Sequence, residues 1–228
     1  MAMSNLKMVF ASLVVAAMPS VAAAQSGAEV GVRTGYAFAA GHIGARANSN
    51  DENLGDWISG QWPIWIDAGY RFNPNLYLGG YVQYGFGSVN DDRQTLCRNA
   101  NVDCSASDTR LGVTGRYHFV PAWQFSPWVG LGFGYEWASL SIHESVFSIT
   151  RERSWSGFEL ANLQVGADYE IASRFVLSPF ISLSFDQYRY LSDRTTAAGV
   201  VTVRNEGSPA KESVHEWILI GVRAAFQP

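Results

Sequence analysis

The chain has 228 residues, enough for one domain of moderate size, with 14 % aromatic residues, only 16 % charged residues and a formal net charge of -4. A soluble domain carries about 25 % charged residues, so much of this surface does not meet water, and the negative balance speaks against nucleic acid as a partner. Lysine occurs only at Lys7 and Lys211, and beyond residue 24 no stretch reaches the roughly 18 apolar residues of a membrane helix, which leaves a closed β-barrel as the spanning architecture that satisfies its own backbone in lipid.

Residues 1–24 read as a cleaved signal peptide: Lys7 supplies the positive start, Met8 to Met18 the apolar stretch, Pro19 and Ser20 a helix break, and Ala22-Ala23-Ala24 the small residues at the cleavage site. The barrel is expected over 25–228, in eight alternating segments near 28–40, 61–72, 76–87, 109–120, 127–140, 155–171, 175–188 and 213–226. In the first, Val30, Val32, Thr34, Tyr36 and Phe38 share one face, opposed by Gly31, Arg33, Gly35 and Ala37. In the second, Trp62, Ile64, Ile66, Ala68, Tyr70 and Phe72 oppose Trp65, Asp67, Gly69 and Arg71. Period two over this length means strand, and about 10 residues match a tilted crossing of a bilayer.

Charge decides which face points outward. The apolar parity carries no charge, while the other holds Arg33, Asp67, Arg71, Arg116, Glu136, Asp168, Asp186 and Arg223 among glycines. Arginine facing lipid at the midplane costs about 2–4 kcal/mol, so the apolar parity faces lipid and the charges line the lumen. Four bases against four acids read as a paired network that plugs the lumen, because buried charge is costly unless paired. Arg33 and Asp67, at equal heights on neighbouring strands, are expected opposite one another.

Connections after strands two, four and six are short, and those at 41–60, 88–108, 141–154 and 189–212 are long and polar. Short periplasmic turns alternating with long extracellular loops are the outer-membrane pattern. Two aromatic girdles are expected: Tyr70, Phe72, Tyr117, Phe119, Trp128, Tyr169 and Phe226 at the periplasmic ends, and Trp62, Tyr84, Phe86, Trp137, Trp155 and Trp217 at the outer ends. Pro179, mid-segment in strand seven, removes a ladder donor and calls for a bulge. Weak alternation before Ala161 calls for a bulge or an extramembrane half in strand six. Val200-Val201-Thr202-Val203 has high β propensity, which leaves open a hairpin extension or a loop.

The signal peptide, the eight strands and the closing Ile218-x-Ile220-x-Val222-x-Ala224-x-Phe226 resemble small outer-membrane barrels of the OmpA/OmpX/OmpW-like superfamily. The resemblance implies an all-β, eight-stranded antiparallel transmembrane barrel in the outer membrane of a Gram-negative cell. It also implies contact with outer-membrane lipid and lipopolysaccharide, and recognition of Phe226 by the barrel-assembly machinery. Gln227 and Pro228 after that aromatic depart from the pattern. Roles in the family range over adhesion, defence, solute passage and lipid modification, and fold does not choose among them.

Cys97 and Cys104, the two cysteines, read as a disulfide in an oxidising exterior. Two thiols without nearby histidines make no metal site, and no cofactor is expected. His143-x-Ser145 with Glu159 is loosely similar to the outer-membrane lipid A deacylases, a weak enzymatic alternative to an ordinary polar loop. The main reading is a non-enzymatic, monomeric surface protein whose partner binds loops 88–108 and 189–212. A narrow channel for small or apolar solutes is the alternative.

Overall fold

The computed structural model describes residues 26–44, 52–90 and 95–228, and the proposed leader lies outside them. Nine strands form one antiparallel sheet: β1 (Gly27–Gly41), β2 (Ile58–Arg71), β3 (Leu76–Val89), β4 (Val102–His118), β5 (Phe125–Glu144), β6 (Ile149–Ala172), β7 (Phe175–Ala197), β8 (Val200–Gly207) and β9 (Val214–Phe226). Each of the first seven pairs with its successor, β7 also pairs with β9, and β9 pairs with β1. Eight strands thus close a ring, and β8 stands outside it as a ninth strand on the outer end of β7.

Alternation sorts the side chains as lipid demands. Val30, Val32, Ile64, Ile66, Val82, Val113, Phe133, Val165 and Ile220 project from the ring, while Arg33, Asp67, Arg116, Glu136 and Arg223 are buried inside it. Most of the aromatic girdle residues also point outward, but Trp128, Trp155 and Trp217 do not, being almost fully buried. Trp128 and Trp217 share the parity of the inward Glu136 and Arg223 on their own strands, so height was a poorer guide than face there, whereas Trp155 is set off in parity from Asp168 by a bulge in β6.

The outer connections differ from the expected long loops. Residues 141–154 are mostly strand: β5 runs to Glu144, β6 starts at Ile149, and only 145–148 turn. Residues 189–212 hold the end of β7 and β8, joined by Ala198 (φ 49°) and Gly199 (φ 79°). That pair of left-handed residues gives the two-residue hairpin whose twist matches its strands. Beyond the membrane both faces of a strand meet water, so hydrophobic alternation fades although the backbone ladder continues. In the first connection Ile43 and Leu54 are buried and, with Ile58 at the start of β2, belong to the apolar cluster that includes Leu140 and Trp155.

No bulge marks Pro179. Its register with Val222 of β9 is unbroken, and on the β6 side the recorded pairs pass from Gly166↔Phe180 to Tyr169↔Leu177. The missing donor is absorbed as a gap in one ladder. A bulge does occur in β6 between Glu159 and Ala161. It switches the inward parity, so Glu159 and Asn162 are both buried in the lumen while Leu160 faces out. At the end of β9, the Phe226 ring packs at a tilt against Phe175 with centroids 5.0 Å apart, and Gln227 donates from its backbone to Arg174 O at 2.9 Å and from its side chain to Glu29 Oε2 at 3.0 Å. The extension beyond the closing aromatic is therefore tied into the barrel.

Cys97, on a short 3-10 turn at Thr95–Arg98, is bonded to Cys104 near the start of β4, with Cα atoms 5.7 Å apart. A ring this small restricts the unfolded chain by only about 2.5 kcal/mol. Reduction should therefore leave the heat-sensitive gel mobility of the folded barrel unchanged while raising protease cleavage near 95–104. On the lipid face, Val113→Arg should cost about 2–4 kcal/mol, read from urea titrations of the barrel folded into vesicles.

Candidate functional site

The lumen holds two layers of charge. Toward the periplasmic end, Glu29 of β1 accepts hydrogen bonds from three guanidiniums: Arg71 (2.7 Å) on β2, Arg223 (2.6 Å) on β9 and Arg116 on β4. Asp67 accepts from Arg33 at 2.7 Å and from Arg223 at 3.1 Å, and Asp168 lies 3.0 Å from His118 Nε2. Arg33 also donates to Gln164 Oε1 at 2.7 Å, and its guanidinium sits 4.4 Å over the Trp65 ring. Arg116 lies 3.9 Å from the Tyr77 ring centre. The aromatic faces and the ion pairs together compensate cations withdrawn from water. A methyl group at Gly31 would lie 2.6 Å from Arg223 Nη2, so the absent side chain there makes room for the guanidinium.

Arg33 and Asp67 do make contact, but not as directly opposed residues. The register sets Arg33 against Trp65 and Gly31 against Asp67, so the ion pair runs diagonally across two strands. Shear places Arg223 directly across from Arg33 on the other side, and Asp67 lies between these two cations.

Toward the outer end the balance reverses. One guanidinium, Arg110 of β4, donates to Asp108 at 2.9 Å, Glu136 at 3.0 Å and Glu159 at 3.2 Å, and lies 3.6 Å from Asp186. His215 Nε2 is 2.8 Å from Glu136 Oε2, and Trp217 Nε1 donates to Glu136 Oε1 at 3.1 Å. Tyr81 donates its hydroxyl to Glu159. Between the layers the void lined by Gln61, Trp65, Gln83 and Arg110 has a volume of only about 10 Å³, room for no more than one water. A larger cavity of about 580 Å³ opens at the periplasmic mouth beside Arg71, His118 and Asp168.

Above the ring, β5, β6, β7 and β8 continue outward as a sheet of their own. Its far end carries exposed Val146, Phe147 and Val200, and Ala198 N donates to Ser148 O at 3.1 Å across the two turns. Arg153 of β6 bonds Asp193 at 2.7 Å and Glu52 at 3.1 Å and lies 4.4 Å over Trp57, which holds the first connection against the sheet. On β8 the hydrogen bond from Arg204 holds the Glu206 carboxyl below its ordinary pKa.

Residues 8–202 match the model of the outer membrane protein beta-barrel domain. The chain belongs to that family. It resides in the outer membrane, as do the proteins whose solved structures it matches. A major outer membrane protein from Thermus thermophilus superposes with a TM-score of 0.61 at 13 % identity, over 88 % of this chain and 99 % of that one. Neisserial surface protein A matches with a TM-score of 0.51 at 13 % identity, over 90 % and 99 %. OprG from Pseudomonas aeruginosa matches with a TM-score of 0.50 at 11 % identity, over 92 % and 100 %. These likenesses concern the fold. No curated protein matches the chain.

Within this family barrel, the three residues that resemble a deacylase set are not brought together. His143 sits at the outer end of β5, its Nδ1 2.9 Å from Thr150 Oγ1, and Ser145 is in the following turn. Glu159 is inside the lumen and pairs with Gly134. His143 is thus nine residues farther out along β5 than Gly134, roughly 30 Å at strand rise.

Sequence reading missed part of the network. Glu29 has the parity of Arg33, Arg110 and His118 that of Arg116, and His215 that of Arg223, so each was legible from its own strand. Asp108 lay beyond the point where apolar alternation ended. With these and Glu159 included, the described lumen buries five arginines and seven carboxylates rather than a balanced four and four. Asp67→Asn should leave Arg33 and Arg223 short of a counter-charge and cost about 3–5 kcal/mol, measured as a lowered urea midpoint of the detergent-folded barrel.

Proposed function

We propose that this barrel acts at the cell surface as a docking protein, with a sealed lumen that serves as a rigid base and an outer sheet that takes up an extended segment of a partner protein. The observation that carries the reading is the outer edge of β8, which has no strand beside it among the described residues. Among the described residues β8 pairs with β7 alone, and all eight of its residues are exposed. An unpaired edge presents a row of backbone donors and acceptors to an incoming strand. Val200, Val201 and Val203 add apolar surface beside it, and no lysine or proline blunts it. The packed interior supports the same reading over the channel alternative, since the void between the two charge layers is only about 10 Å³.

Replacing Val200, Val201 and Val203 together by lysine blocks an edge without touching the ring. Attachment of bacteria displaying the barrel to cultured cells should then fall about tenfold or more, the equivalent of losing roughly 1.4 kcal/mol of docking energy, with folding and surface level unchanged. Unaltered attachment and serum survival would remove the basis for docking at β8. The unmutated barrel in planar bilayers should show no stable open conductance.

A further inference from the structure

The two charge layers of the lumen are compensated differently. The periplasmic layer sets Arg33, Arg71, Arg116 and Arg223 against Glu29, Asp67 and Asp168, so its anions are covered by cations. The outer layer sets Arg110 alone against Asp108, Glu136, Glu159 and Asp186. Four carboxyl groups share one guanidinium in a region that burial removes from water, so those beyond the first are protonated or find another cation.

Three donors of this layer converge. One ligand atom each from Glu136, Asp186 and His215 lies within 4.8 Å of the other two, and all three side chains are buried. Glu136 Oε2 and His215 Nε2 are 2.8 Å apart. Donors of a tetrahedral zinc site lie roughly 3.3 Å from one another, given metal–ligand bonds near 2.0–2.1 Å, so donors at most 4.8 Å apart are within reach of a common ion after side-chain adjustment. A second observation falls on one of these ligands: Asp186 Oδ1 is buried without a hydrogen-bond partner, an atom for which a bound ion is one explanation. The Tyr188 ring stacks on His215 at 4.1 Å and its hydroxyl donates to Glu136 at 3.2 Å, which fixes the plane of the imidazole and the rotamer of the carboxylate.

We propose that the outer layer of the lumen binds one divalent first-row cation of the zinc class through Glu136, Asp186 and His215. An imidazole with two carboxylates suits such an ion, whereas magnesium and calcium take oxygen ligands alone. All three ligand side chains are buried, so the ion enters as the barrel folds and is then retained. The site is independent of docking at β8.

The test refolds the full mature chain from urea into detergent with zinc chloride or with a chelator, confirms folding by the heat-dependent gel shift, and counts metal by mass spectrometry after desalting. The folded chain should keep about one zinc and unfold at a higher temperature than the chelator-refolded form. Asp186→Asn and His215→Gln should each lose the ion, while His143→Gln, at the exposed outer end of β5, should keep it. Folded wild-type barrel without retained zinc, or both lumen variants retaining as much as wild type, overturns the proposal. Should the lumen variants not fold, cobalt(II) decides on the unmutated chain. Visible d–d absorption altered from that of the aquo ion is expected, and an aquo spectrum refutes the site.

Discussion

Closure of β1 on β9 is the constraint from which the rest of this molecule follows. In hydrocarbon no water is available to an unpaired backbone group, so the first and last ring strands must meet, and they do so from Val30↔Phe226 out to Gly41↔His215. A ring of eight strands has room inside for side chains and little else. Every inward residue therefore has to be packed and compensated by residues arriving from other walls. The glycines at 31, 79 and 134, each facing a large inward side chain from another position, are the space these residues occupy.

Compensation across the lumen ties distant parts of the sequence together. Glu29 gathers arginines from β2, β4 and β9, and Arg110 gathers acids from β5, β6 and β7. Removing one member leaves its partners charged and desolvated, which is why such networks are sensitive to single substitutions although their net contribution to stability is modest. The same rigidity gives the outer sheet a firm base. β5, β6 and β7 each run unbroken from the membrane region into that sheet, so the position of β8 is set by the ring below it.

Bulges do the fine placement. The one in β6 brings Glu159 and Asn162 to the same side, where Asn162 donates to Glu159 at 2.7 Å. Without that extra residue Glu159 would keep the parity of one half of the strand and face lipid in register with the other. Its position in the outer layer is thus a consequence of one inserted residue, and that layer owes part of its acidic excess to it.

What the sequence by itself determined is the division of each strand into a lipid face and a lumen face, the short periplasmic turns, and the membership of Arg33, Asp67, Arg71, Arg116, Glu136, Asp168, Asp186 and Arg223 in the interior. Period-two alternation against a bilayer is a local signal, written residue by residue, and it also held Glu29 and His215. Trp128 and Trp217 were misplaced by height although their parity already put them inside, whereas Trp155 has the parity opposite to Asp168 and lies inside because of the bulge in β6. Only the tertiary structure decided which charges meet, because partners across a barrel depend on shear and bulges that no single strand records. It also decided the extent of β5 to β8 beyond the membrane, where both faces are wet and alternation carries no message. The meeting of His215 with Glu136 and Asp186 belongs to this second kind: three residues on three strands, brought together by closure of the ring.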